Sequence, residues 1–182
     1  MTASHVRIGC LLAFMLFASG GMVCAEGDLV GSATVEDARA ALVGGGLSEP
    51  EIVLADPEAP LLISRTPDGV TVEVRLIWCQ TRNHCAGADL VAVIPATSRS
   101  LADRTVRKVE ATYLGVGAET LEMSGGTGLT YAVMLDTFVM YNMGVSRRLL
   151  PDMLANLLTV VADTRDAMVA ADSDHAALWR GN

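Results

Sequence analysis

From Val70 to Trp78 the chain alternates, with Val70, Val72, Val74, Leu76 and Trp78 in one phase and Thr71, Glu73 and Arg75 in the other. A period of two sends successive side chains to opposite faces, so this run predicts a strand buried on one side, Trp78 included. Cys79 follows, then a polar loop containing Cys85, then a second strand from Asp89 to Pro95 (DLVAVIP). Two strands joined by a short polar loop with a cysteine at each end read as a hairpin.

The compartment decides what the cysteines do. Arg7 precedes an apolar run from Ile8 to Phe17, which is followed by Ala18, Ser19, Gly20 and Gly21 and then Val23-Cys24-Ala25. A basic start, a short apolar core and small residues at −3 and −1 are the order of a secretory signal peptide cleaved after Ala25. The apolar run falls well short of the ~20 residues that span a bilayer. A lipid anchor is set aside because branched Val23 precedes Cys24, and Cys10 lies inside the apolar run. Cleavage removes Cys10, Cys24 and Arg7, which takes the formal charge from −8 to −9. Two cysteines left in an oxidising compartment are read as a structural disulfide, Cys79 to Cys85. A redox pair normally has two intervening residues rather than five, and a closed zinc site would need a fourth ligand beside His84.

Around the hairpin the chain punctuates itself. Residues 26–33 read as a flexible lead-in. Thr34 with Asp37 reads as the cap of a helix that Gly44, Gly45 and Gly46 end. The run EIVLAD from Glu51 is extended, and LLISRT from Leu61 is a strand closed by the turn Thr66-Pro67-Asp68-Gly69. Ser100 with Asp103 opens a second helix carrying Ala102, Val106, Val109 and Tyr113, which Gly115 closes. AETLEM from Ala118 alternates again, and Gly125, Gly126 and Gly128 turn the chain into a long apolar strand, Leu129 to Tyr141. A third helix runs from about Arg148 to Val169, with Pro151 tolerated only in its first turn. Residues 171–182 read as a tail in which Trp179 could dock. The expected fold is α+β, an antiparallel sheet packed with helices in the order α-β-β-β-α-β-β-α, as a single domain over 34–170.

Chemistry is sparse. Of 182 residues 51% are hydrophobic, with 13 Lys+Arg against 21 Asp+Glu, and the pI of about 4.7 opposes nucleic-acid and anionic-membrane partners. After cleavage the histidines are His84 and His175, neither beside a nucleophile, and no serine sits in a G-x-S-x-G elbow. Lys108 lies among arginines on an expected exposed face. The glycine cluster joins two strands and lacks the lysine of a phosphate loop. Glu119 and Glu122 fall on opposite faces of their strand. No catalytic residue, metal site or cofactor is therefore assigned.

What remains is surface. The Leu129–Tyr141 strand sets Tyr131, Val133 and Leu135 on one face and Ala132 and Met134 on the other, with Phe138, Val139 and Met140 beyond. A strand apolar on both faces must be covered twice. The second cover is either another chain, giving a homodimer or a client-peptide groove with Tyr131, Val133, Leu135, Phe138 and Met140 as contacts, or a third helix long enough to wrap it.

The strand ending in Cys79, the second cysteine before DLVAVIP, the helix after it, the two further strands and Met143-Gly144-Val145-Ser146 leading into an amphipathic last helix together resemble the YbjN domain family of bacterial sensory transduction regulators, over roughly Thr34 to Ala170. Where members often carry an asparagine- and tryptophan-containing motif in the central helix, this chain has Val106-Arg107-Lys108-Val109. The resemblance implies a fold of the secretion-chaperone class, whose small acidic members are commonly dimers that bind partners and catalyse nothing. The sequence thus points to a periplasmic or secreted, non-enzymatic protein-binding or regulatory module, without a membrane anchor after cleavage and with an unspecified protein partner. The competing readings are a small exported hydrolase or metal-dependent enzyme using His84, and an inhibitor of an exported enzyme. Mass spectrometry of the exported chain should find an N-terminus at Glu26 and a mass two hydrogens below that of the free dithiol.

Overall fold

In the computed structural model, which describes residues 29–53, 58–81, 84–125, 128–141 and 144–172, the elements run β1 (Leu29–Val30), α1 (Val35–Gly44), β2 (Glu51–Val53), β3 (Leu61–Arg65), β4 (Thr71–Thr81), β5 (His84–Ala96), α2 (Arg99–Thr112), β6 (Gly117–Gly125), β7 (Gly128–Met140), β8 (Val145–Ser146) and α3 (Leu149–Ala171). The class is α+β as expected. Six strands form one antiparallel sheet in the order β2-β3-β4-β5-β7-β6, and β1 pairs with β8 in a separate ribbon. The signal segment, Arg82 and Asn83 of the hairpin, Gly126, Trp179, His175 and all but the first two residues of the expected tail lie outside the described residues.

Local chemistry accounts for the helix ends. Thr34 accepts from the Asp37 backbone N–H while the Asp37 carboxylate accepts from the Thr34 N–H, a complete capping box. Gly45 closes α1 and Gly46 follows at φ 82, a conformation that suits glycine. The α2 cap is Ser98, two residues earlier than the expected Ser100, because Ser98 Oγ accepts from Leu101 N. Pro151 does sit in the first turn of α3.

Each helix buries one stripe against the same sheet face. Val35, Ala38, Ala41 and Leu42 of α1, Leu101, Ala102 and Val109 of α2, and Leu150, Leu154, Leu157 and Val161 of α3 share one core. From the sheet that core takes Val72, Val74 and Leu76 of β4, Leu90, Ala92 and Ile94 of β5, and Val133, Leu135 and Val139 of β7. The opposite sheet face has no helix on it among the described residues.

Three expectations are corrected. Trp78 does not continue the buried phase of Val70 to Leu76. It has φ 52, is 62% exposed, and passes the inward position to Cys79, which is 7% exposed. One left-handed residue breaks the two-residue period, and nothing in the alternation announces it. Cys79 to Thr81 and His84 to Ala88 are strand rather than polar loop, since β4 and β5 pair out to Thr81↔His84. Residues 29–33 are not a free lead-in, because Leu29 and Val30 pair with Ser146 and Val145 and Ala33 bridges Cys85 with two backbone hydrogen bonds.

Cys79 and Cys85 are directly opposed in register and joined, S–S 2.06 Å. Replacing both by serine should lower stability by about 2 kcal/mol, the loop-entropy value for so short a closure. Leu90→Ala, in a side chain with no exposure at the middle of the sheet, should cost about 2–5 kcal/mol. Urea unfolding measures both.

Candidate functional site

Antiparallel pairing puts directly opposed residues on the same face, so the register maps the uncovered side row by row. One row reads Arg65, Thr71, Val93, Met134, Glu119, and the next Glu51, Ile63, Glu73, Val91, Asp136. A third reads Val53, Leu61, Arg75, Asp89, Phe138, and a fourth Ile77, Gly87, Met140. Ile63, Ile77, Val91, Val93, Met134 and Met140 are all only half-buried, and Phe138 is 44% exposed. A β-carbon on Gly87 would come within 3.0 Å of the Val139 carbonyl oxygen and 3.1 Å of Ile77 Cγ1, so this row stays flat between Ile77 and Met140.

Trp78 stands at the end of this surface. Its ring meets Phe138 edge-on, centroids 6.0 Å apart and planes at 86°, the arrangement aromatic quadrupoles favour. Among the described residues Trp78 is the only non-glycine at positive φ. A bulky side chain held there is a costly conformation of the kind that collects at functional surfaces, and it leaves the largest ring in the domain in solvent.

The face is acidic as well as apolar. It carries the carboxylates of Glu51, Glu73, Asp89, Glu119 and Asp136 against the guanidiniums of Arg65 and Arg75. Partial burial among apolar neighbours raises the Asp89 carboxyl above its ordinary range; the charge of Asp136 adds to the rise and Arg75, directly opposite, offsets part of it.

The five expected contact residues divide. Phe138 and Met140 lie on the uncovered face. Val133 and Leu135 have no exposure and Tyr131 is half-buried, all three packed into the helix-side core, so they are corrected from contact residues to core residues. Sequence reasoning missed Trp78, Val91, Val93 and Met134 as surface. The signal for Val91 and Val93 was available: DLVAVIP, like the later strand, is apolar in both phases. His84 is exposed, with Nδ1 3.4 Å from Ser32 Oγ, at the outer limit of hydrogen bonding. Among the described residues no three His, Cys, Asp or Glu side chains gather as metal ligands would, and no helix is long and apolar enough to cross a membrane.

Comparison of the chain with protein-family models, curated proteins and solved structures returned no match.

Because the Asp89 carboxyl is raised in the folded state, its contribution to stability is full below its ordinary range and is lost as pH rises through the raised value. Asp89→Asn should therefore raise the urea midpoint at about pH 7, and the gain should vanish below about pH 3.

Proposed function

We infer that this chain is an exported, non-enzymatic binding module of the YbjN type that docks a protein partner on its uncovered sheet face. The observation that carries the reading is the placement of all three helices on one side of a sheet whose central strands are apolar on both. A sheet face that mixes half-buried apolar side chains with charge and ends in the exposed Trp78–Phe138 pair supports an interaction site. Export is supported by the order of residues before Ala25 and by the Cys79–Cys85 disulfide.

Charge selects the occupant. A second copy docked through this face would double its imbalance of carboxylates, Glu51, Glu73, Asp89, Glu119 and Asp136, over the guanidiniums of Arg65 and Arg75, and surplus like charge in a drying interface is costly. A partner with an apolar surface and a basic side chain set against Asp89 would instead return that carboxyl to its ionised form. The partner is therefore a different protein, and homodimerisation is disfavoured. The family-type regulatory role rests on the sequence motifs quoted above.

A photo-crosslinking residue, p-benzoylphenylalanine, installed at position 138 of the exported chain should give a heterologous adduct that Trp78→Ala or Asp89→Lys abolishes. The same residue at Lys108, on the exposed side of α2, should give none. Adducts only from position 108, or a self-adduct together with a dimer mass by light scattering at micromolar concentration, would overturn the reading.

A further inference from the structure

On the helix side, away from the uncovered face, a cleft of about 550 Å³ opens between α1, α3 and β1. That lies within the range of small-molecule sites. Its walls are short and apolar, built by Val30, Ala40, Ala41, Leu150 and Ala155.

Tyr141 also lines the cleft. Its backbone is fully used, the N–H donating to the Ala86 carbonyl at 2.8 Å and the carbonyl accepting from Gly144 N at 3.1 Å. The residue is 2% exposed, yet the described residues offer its hydroxyl no hydrogen bond. The contrast within the domain is Tyr113, whose hydroxyl donates to Asp163 Oδ2 at 2.8 Å. Among the described residues the buried side-chain oxygen without a partner is Thr164 Oγ1; the Tyr141 hydroxyl is instead open to the cleft, where a guest can accept its hydrogen bond. Burial, with a smaller effect of the Asp37 carboxylate, pushes the phenol up to about 12, which keeps it a neutral donor.

The rim fixes the charge of the guest. Asp37 and Asp152 oppose the single guanidinium of Arg147. Asp37 is held by the Thr34 backbone N–H and hydroxyl, and Asp152 lies in the first turn of α3, where it already supplies the negative charge the helix dipole favours. An anion gains nothing there.

We propose that this cleft binds a small uncharged amphiphile, its apolar body between α1 and α3 and a carbonyl or hydroxyl oxygen accepting a hydrogen bond from Tyr141 Oη. This site is separate from the sheet face and stands or falls independently of it.

Nile red, an uncharged dye with a ring carbonyl, tests the proposal by fluorescence titration of the purified, disulfide-intact chain. Saturable one-to-one binding is expected, weakened about three- to tenfold by Tyr141→Phe, the effect of losing one hydrogen bond. Ala40→Trp, which fills the cleft from an exposed helix position, should abolish it, and Trp78→Ala with Phe138→Ala should leave it unchanged. The anionic dye anilinonaphthalene sulfonate should not distinguish Ala40→Trp from the parent. Near-UV circular dichroism reports folding of each variant, and Ala155→Trp replaces Ala40→Trp if the latter does not fold. Absence of saturable Nile red binding, binding indifferent to Tyr141→Phe and the filling variant, or binding lost with Trp78 and Phe138 would overturn the proposal.

Discussion

The pairing of β5 with β7, continuous from Gly87↔Met140 to Ala96↔Tyr131, is the contact around which the domain is arranged. These two strands are the longest in the sheet and carry apolar side chains in both phases. One phase, Leu90, Ala92, Ile94, Val133 and Leu135, is sealed by α2 and α3. The other, Val91, Val93 and Met134, is not. Ala132, which shares that phase, has no exposure yet stays out of the helix-side core. Hydrophobic burial therefore stabilises the sheet chiefly through one face.

Most of the scaffold was legible in the sequence because its signals are local. The Val70–Leu76 alternation, the Thr34–Asp37 box, the Thr66–Gly69 turn and the position of Pro151 each depend on a few neighbouring residues. Sidedness was not legible. Alternation tells which residues of β7 share a face but not which face the helices choose, so Tyr131, Val133 and Leu135 read as contact residues when they are core. Trp78 was lost for a different reason: one residue at positive φ reverses the phase of a strand, and a tryptophan carries no propensity for that conformation. The strand β1 was hidden because two residues have no periodicity, and only the distant Val145 and Ser146 define it.

The disulfide holds more than its own hairpin. Cys79 follows Trp78, so the bridge anchors the strand end that presents the exposed ring. Cys85 is bridged to Ala33, whose segment continues from β1 and includes Val30 and Ser32 at the wall of the cleft. Through Ala86 the same strand fixes the backbone of Tyr141. A single covalent bond thus stiffens the approach to both surfaces, which lie on opposite sides of the sheet.

The edges of the large sheet are poor templates for another strand. β2 has only three residues and β6 carries Glu119 and Glu122, which discourages backbone-mediated strand addition. What this molecule offers a visitor is a tiled plane of side chains and no ladder of amides. Such a plane can be rewritten tile by tile, at Phe138, Met134 or Val91, with little disturbance to the packing beneath. The same scaffold therefore tolerates a different surface chemistry after a handful of substitutions, a freedom denied to domains whose contact surface is an open strand.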